Sequence, residues 1–74
     1  MTLQQLEYVV ALADHGQFLK AAEACDVTQP TLSSMIQKLE EELGAKLFDR
    51  RSKPVVPTVV GRLVVEQARE LLNG

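Results

Sequence analysis

The side chains best suited to chemistry in this 74-residue chain lie in two stretches. The first, residues 28–38, reads Thr-Gln-Pro-Thr-Leu-Ser-Ser-Met-Ile-Gln-Lys and contains no acidic residue. Gln29, Thr31, Ser33, Ser34 and Gln37 there carry amide and hydroxyl groups that both donate and accept hydrogen bonds. Such groups can read base edges: a Gln amide pairs bidentately with adenine, and Ser or Thr contacts either base type. Lys38 closes the stretch with a cation suited to phosphate. The second stretch, residues 50–53, holds Arg50, Arg51 and Lys53 with no acid among them. Cations at that density, beside a polar helix, suit a phosphate backbone or a minor groove.

Other chemistry finds little support. Cys25 is the one cysteine, so no internal disulfide is available, as suits a cytosolic protein. Its apolar neighbours favour packing over redox sensing. His15 has no Cys, Asp or Glu at metal-ligand spacing and fits the end of a helix dipole or solvent. Glu40, Glu41 and Glu42 read as a solvated helix face. Asp14 and His15 have no nucleophile to serve. With no phosphate-binding glycine loop, no cofactor or metal is expected, and nothing indicates an enzyme.

The net charge of −2 argues at first against an anionic partner. Its distribution reverses that reading. Residues 1–27 and 39–49 are each net −3, whereas residues 50–62 are +4 and residues 28–38 are +1. Affinity for phosphates follows the local field rather than the total. No apolar run reaches the ~20 residues of a bilayer span, and no signal peptide opens the chain. A cytoplasmic location is therefore expected, with no membrane contact. The helical pattern runs to the end of the sequence, so a fragment of a longer chain is expected.

These residues need rigid elements to present them. Thr2 can cap a helix to about His15, with Gly16 as its stop. Leu3, Leu6, Val10 and Ala13 make one apolar stripe on it; Tyr8, Val9 and Leu12 make a second. A short helix follows from about Phe18 to Ala24, and Cys25-Asp26-Val27 forms a turn where Asp26 tolerates positive φ. Thr28 caps a third helix with Pro30 in its first turn and Gly44 at its end. Leu32, Ile36, Leu39 and Leu43 face inward there. At 100° per residue, Pro30, Ser33, Ser34, Gln37, Lys38 and Glu41 then face outward, with Thr31 at the edge. Leu47 to Pro57 reads as a short β-ribbon with the basic residues near its tip. Thr58 caps a last helix, in which Val60, Leu63, Val64, Ala68, Leu71 and Leu72 are apolar.

Residues 18–37 thus have helix-turn-helix spacing, with Ala21, Cys25, Val27, Leu32 and Met35 at the packing positions. Phe18, Ala21-Ala22 and Val27-Thr28-Gln29-Pro30-Thr31-Leu32-Ser33 resemble the LysR-type transcriptional regulator family. So do Leu39-Glu40-Glu41-Glu42-Leu43-Gly44, Leu47-Phe48-Asp49-Arg50 and Thr58-Val59-Val60-Gly61. Residues 25–33 are similar to its peroxide-sensing, OxyR-like branch. Departures from the family pattern fall at Gln17, Ser34, Met35 and Val59-Val60. The resemblance implies a mainly α, winged helix-turn-helix fold: a three-helix core, a β-ribbon wing and the start of a linker helix. It implies a DNA-binding domain over residues 1–58 and a dimerisation helix from residue 59 to 74, ahead of a missing effector domain. The partners implied are double-stranded DNA, a second copy of the chain, and a higher oligomer in the full-length parent.

On this reading Gln29, Pro30, Thr31, Ser33, Ser34 and Gln37 meet base edges or adjacent backbone. Lys38, Arg50, Arg51 and Lys53 hold phosphates. Tyr8, Val9 and Leu12 join Val60, Leu63, Val64, Ala68 and Leu71 in the dimer contact. The rival is a winged-helix protein-interaction module that does not bind DNA, favoured by the acidic total charge.

Overall fold

A computed structural model describes residues 1–73; Gly74, the predicted end of the last helix segment, lies outside them. The helices that follow Thr2, Thr28 and Thr58 begin at hydroxyl caps, whereas the one that follows Gln17 has no side-chain cap. The Thr2 hydroxyl accepts the Gln5 N–H at 3.1 Å, and the Gln5 side chain accepts the Thr2 N–H at 3.0 Å. This capping box starts α1 (Leu3–His15), and Gly16 stops it at φ 69°, a conformation glycine adopts without a Cβ penalty. Then come α2 (Phe18–Ala24) and a turn in which Asp26 takes φ 58°. Thr28 starts α3 (Gln29–Leu43), with Pro30 in the first turn, where its missing N–H is harmless. The short strands β1 (Phe48–Asp49) and β2 (Val56–Pro57) pair antiparallel, with Phe48 opposite Pro57 and Asp49 opposite Val56. The Thr58 hydroxyl accepts the Gly61 N–H at 3.0 Å and starts α4 (Val59–Asn73).

The core lies where α1 meets the other three helices. Leu12, Leu32, Ile36, Leu39, Leu47 and Val9 are its largest fully buried side chains. Each contributes roughly 1.5–3 kcal/mol through removal from water. Ala21 and Ala22 are buried with them, and their small side chains let α2 lie close to its neighbours. No helix among the described residues is long and apolar enough to cross a membrane.

The second stripe of α1 serves this core, which corrects the expected dimer contact; of the first, Leu6 is buried while Leu3 is 63% exposed. Tyr8, Val9 and Leu12 are buried inside the one chain, as is Ala68 of α4. The reason lies in the partners of α1: it packs against α2 and α3 and also against α4. Its second stripe is covered without another copy. Val65 of α4, which the sequence pattern did not single out, joins the same core. On α4 the apolar surface left open is Val59, Val60, Leu63 at 59% exposure and Leu71 at 64%, with Val64 half-buried; Leu3 of α1, Leu19 of α2 and Leu43 of α3 are single exposed apolar side chains elsewhere.

Candidate nucleic-acid interface

The face of α3 away from the core is polar and open. Gln29, Pro30, Thr31, Ser34, Gln37 and Lys38 are exposed, and Ser33 is half-buried. Leu32, Ile36 and Leu39 on the opposite face are buried, so the helix is locked in rotation. Its start is ordered further by the cap. The Thr28 hydroxyl accepts the Thr31 N–H at 3.3 Å and donates to the Thr31 hydroxyl at 2.9 Å. Gln29 and Pro30 sit between these two threonines, at the end of α3 where the free N–H groups and helix dipole favour an anion. The turn before α3 is held by backbone hydrogen bonds from Val27 N–H to the Ala22 carbonyl (3.0 Å) and from Asp26 N–H to the Glu23 carbonyl (3.1 Å).

The hairpin lies beside this helix and is tied down at its far end. Val55 N–H donates to the Gly16 carbonyl at 2.8 Å, and the Ser52 hydroxyl donates to the Pro54 carbonyl at 3.1 Å. A Cβ at Gly16 would stand 2.7 Å from Pro54 Cβ, so the glycine also makes room for the hairpin. Lys53 projects from this segment, exposed. Arg51 is also exposed, and its N–H and Nε both donate to Asp49 Oδ1, at 3.0 and 3.3 Å. These hydrogen bonds, backbone first, hold the Asp49 carboxyl below the usual carboxylate range.

Arg50 departs from the expected arrangement. It turns inward, with its guanidinium donating to Glu40 Oε1 at 3.2 Å and lying 5.2 Å from the centre of the Phe18 ring. Glu40 departs with it: its other carboxylate oxygen accepts the Leu47 N–H at 2.8 Å, and the residue is only 4% exposed. The expected solvated run of three glutamates therefore holds one buried anchor; Glu41 and Glu42 are exposed. Nothing in Glu-Glu-Glu marks which one turns inward. The available sequence signal is position: Glu40 lies next to Leu39 and four residues after Ile36, at the margin of the buried stripe.

Cys25 ends α2 and packs half-buried against the core. Burial, with Glu7 nearby, pushes its thiol up and disfavours the reactive thiolate. His15 is exposed in the last turn of α1. Among the described residues no cluster of three or more His, Cys, Asp or Glu side chains could hold a metal.

Two short helices crossing through alanines, a third held by its apolar face and a hairpin before a fourth define a winged helix-turn-helix. The family model for bacterial regulatory helix-turn-helix proteins of the lysR family matches residues 3–62, and the chain belongs to that family. This is a family of transcription regulators rather than of enzymes. Over 73 residues, 99% of the chain, it is 54% identical to a hydrogen peroxide-inducible genes activator of Pectobacterium carotovorum subsp. carotovorum. Over the same span it is 53% identical to the DNA-binding transcriptional dual regulator OxyR of Escherichia coli K12. The chain spans about a quarter of the length of these relatives, 24% in each case. A solved complex of the BenM DNA-binding domain with benA site 1 DNA superimposes with a TM-score of 0.94 at 44% identity, covering 99% of this chain and 82% of that one.

Proposed function

We propose that this chain is the reading head of a LysR-type transcriptional regulator and binds double-stranded DNA sequence-specifically as a dimer. The observation that carries the proposal is the outer face of α3. It is polar, free of acidic residues from Gln29 to Lys38, and rigidly held at its capped N-terminus. That is what a helix needs to enter a major groove with its first turns against base edges. Gln29, Pro30, Thr31, Ser33, Ser34 and Gln37 read or border the bases, and Lys38 meets phosphate. Arg51 and Lys53 add cations from the hairpin, with Lys53 nearest its bend. The likeness to the BenM domain solved on DNA supports this docking.

Residues 1–58 form the reading head, and residues from 59 onward begin a linker helix. The exposed apolar face of α4, Val60, Leu63 and Leu71 with Val59 beside them, supplies the contact to a second copy. Two-fold pairing there sets two α3 helices about one DNA turn, or a multiple, apart. Effector sensing and higher assembly belong to the remainder of the parent protein, acting in the bacterial cytoplasm. Identity to the peroxide-inducible activators supports a place in the OxyR-like branch. Selection from a random duplex pool at fixed salt tests the proposal. The expected result is enrichment of one sequence with two related half-sites; a pool that stays random would overturn it.

A further inference from the structure

We propose that Arg50 is a positioning residue, not a phosphate ligand: with Glu40 it fixes the hairpin against α3 and so sets which sequence the two elements read together. The inference rests on the DNA-binding reading above. Its ground is a chain of contacts running from α3 to the base of the wing. Glu40, buried on α3, accepts the Leu47 N–H at 2.8 Å through one oxygen and the Arg50 guanidinium at 3.2 Å through the other. Leu47 precedes β1, and its carbonyl accepts the Thr58 N–H at 2.9 Å, just after β2. The Thr58 hydroxyl donates to the Lys46 carbonyl at 2.7 Å. One carboxylate on the reading helix therefore grips the incoming strand of the hairpin, and that strand grips the outgoing one.

Arg50 adds the third point of attachment. Its guanidinium also lies 5.2 Å from the Phe18 ring centre, within cation–π range, at the start of α2. A cation engaged by a buried carboxylate on one side and a ring beside it is poorly placed to leave for a phosphate. Leaving would strip Glu40 of its charge partner while Glu40 stays buried, which is unfavourable. Arg50 keeps 37% of its side chain exposed against 93% for Arg51, and Arg51 and exposed Lys53 have no such tie to the core. The three cations of residues 50–53 thus divide into one strut and two surface charges.

The test uses the duplex recovered by the selection above and a scrambled duplex of equal length, each titrated across salt. The variants are Arg50→Gln, Lys53→Gln and Glu40→Gln. Lys53→Gln is expected to reduce the slope of log K against log salt by about 0.9. Arg50→Gln is expected to leave that slope within about 0.2 of wild type, since no counterion is released at that side chain. It is also expected to lower the ratio of selected to scrambled affinity several-fold. Glu40→Gln keeps an acceptor for the Leu47 N–H but removes the charge that holds Arg50. It should lower the same ratio while freeing a cation, so that the slope stays level or steepens. Glutamine matches glutamate in shape and fills the same buried space, so this variant gives a second readout if Arg50→Gln melts early. A slope loss of about 0.9 in Arg50→Gln, or an unchanged ratio in Glu40→Gln, overturns the strut. Wild-type protein that binds both duplexes equally overturns the DNA-reading function itself, a result separable from either.

Discussion

Gly61 sits where α4 passes over the base of the hairpin, and replacing it with alanine sets two effects in opposition. In an open helix interior, Ala is about 1 kcal/mol better than Gly. Here the added Cβ would overlap the Leu47 carbonyl and come 3.2 Å from Leu47 Cα. The obstacle is backbone, and it is pinned from both sides. Leu47 N–H is held by Glu40, and its carbonyl is held by Thr58 at 2.9 Å. Overpacking against a fixed neighbour costs about 1–3 kcal/mol, and losing the Thr58 hydrogen bond adds about 1 kcal/mol. After the gain in helix propensity, Gly61→Ala is predicted to destabilise the fold by about 2 kcal/mol. A domain of this length has roughly 4–11 kcal/mol in all, so the loss lowers Tm by roughly 8–16 °C. Urea unfolding followed by circular dichroism measures it as a lower midpoint at unchanged slope. A variant as stable as wild type, or more stable, would refute the close approach of α4 to Leu47.

Three further outcomes follow from the surface and the core. Leu63→Glu with Leu71→Glu should shift the chain to monomer in sedimentation and weaken binding to a two-half-site duplex far more than to one half-site. Unchanged operator binding together with a monomeric wild type would remove α4 as the dimer contact. Neutralising Arg51 and Lys53 together should reduce the salt slope by about 1.8 and weaken all duplexes alike; an unchanged slope would take both off the DNA. Cys25, its thiol raised by burial and by Glu7, carries less thiolate at neutral pH than a free cysteine. Alkylation should therefore be slow at neutral pH and accelerate as pH climbs through the raised value, and DNA binding should ignore mild oxidant. Labelling at neutral pH as fast as free cysteine would contradict a packed thiol.

Local chemistry made much of the fold legible. Hydroxyl caps at Thr2, Thr28 and Thr58, the glycine stops Gly16 and Gly44, and the tolerant Asp26 each act within one turn of chain. Their positions therefore gave the helix boundaries directly. The polar face of α3 followed from periodicity, because a helix with Leu32, Ile36 and Leu39 inside has only one outside. Which partner covers each apolar stripe is a tertiary fact, and there the pattern was insufficient. Tyr8, Val9 and Leu12 have the spacing of an interface, yet they are buried in the core of the same chain, where α1 packs against α2, α3 and α4. Val65 and Ala68 are the α4 residues that turn inward, while Leu63 and Leu71 do not. The same limit applies to charge. Arg50 and Arg51 are neighbours of identical type, and only the fold brings Glu40, ten residues away, to the first of them.

The most direct measurement of the central claim is the affinity of Gln29→Ala for the selected and scrambled duplexes at one salt concentration. Gln29 stands exposed at the capped, acid-free start of α3. A bidentate base contact there is worth about 1–3 kcal/mol of discrimination. Selected-site affinity is expected to fall by roughly one to two orders of magnitude, while scrambled-duplex affinity changes little. Equal loss on both duplexes, or no loss on either, would contradict a reading helix at α3.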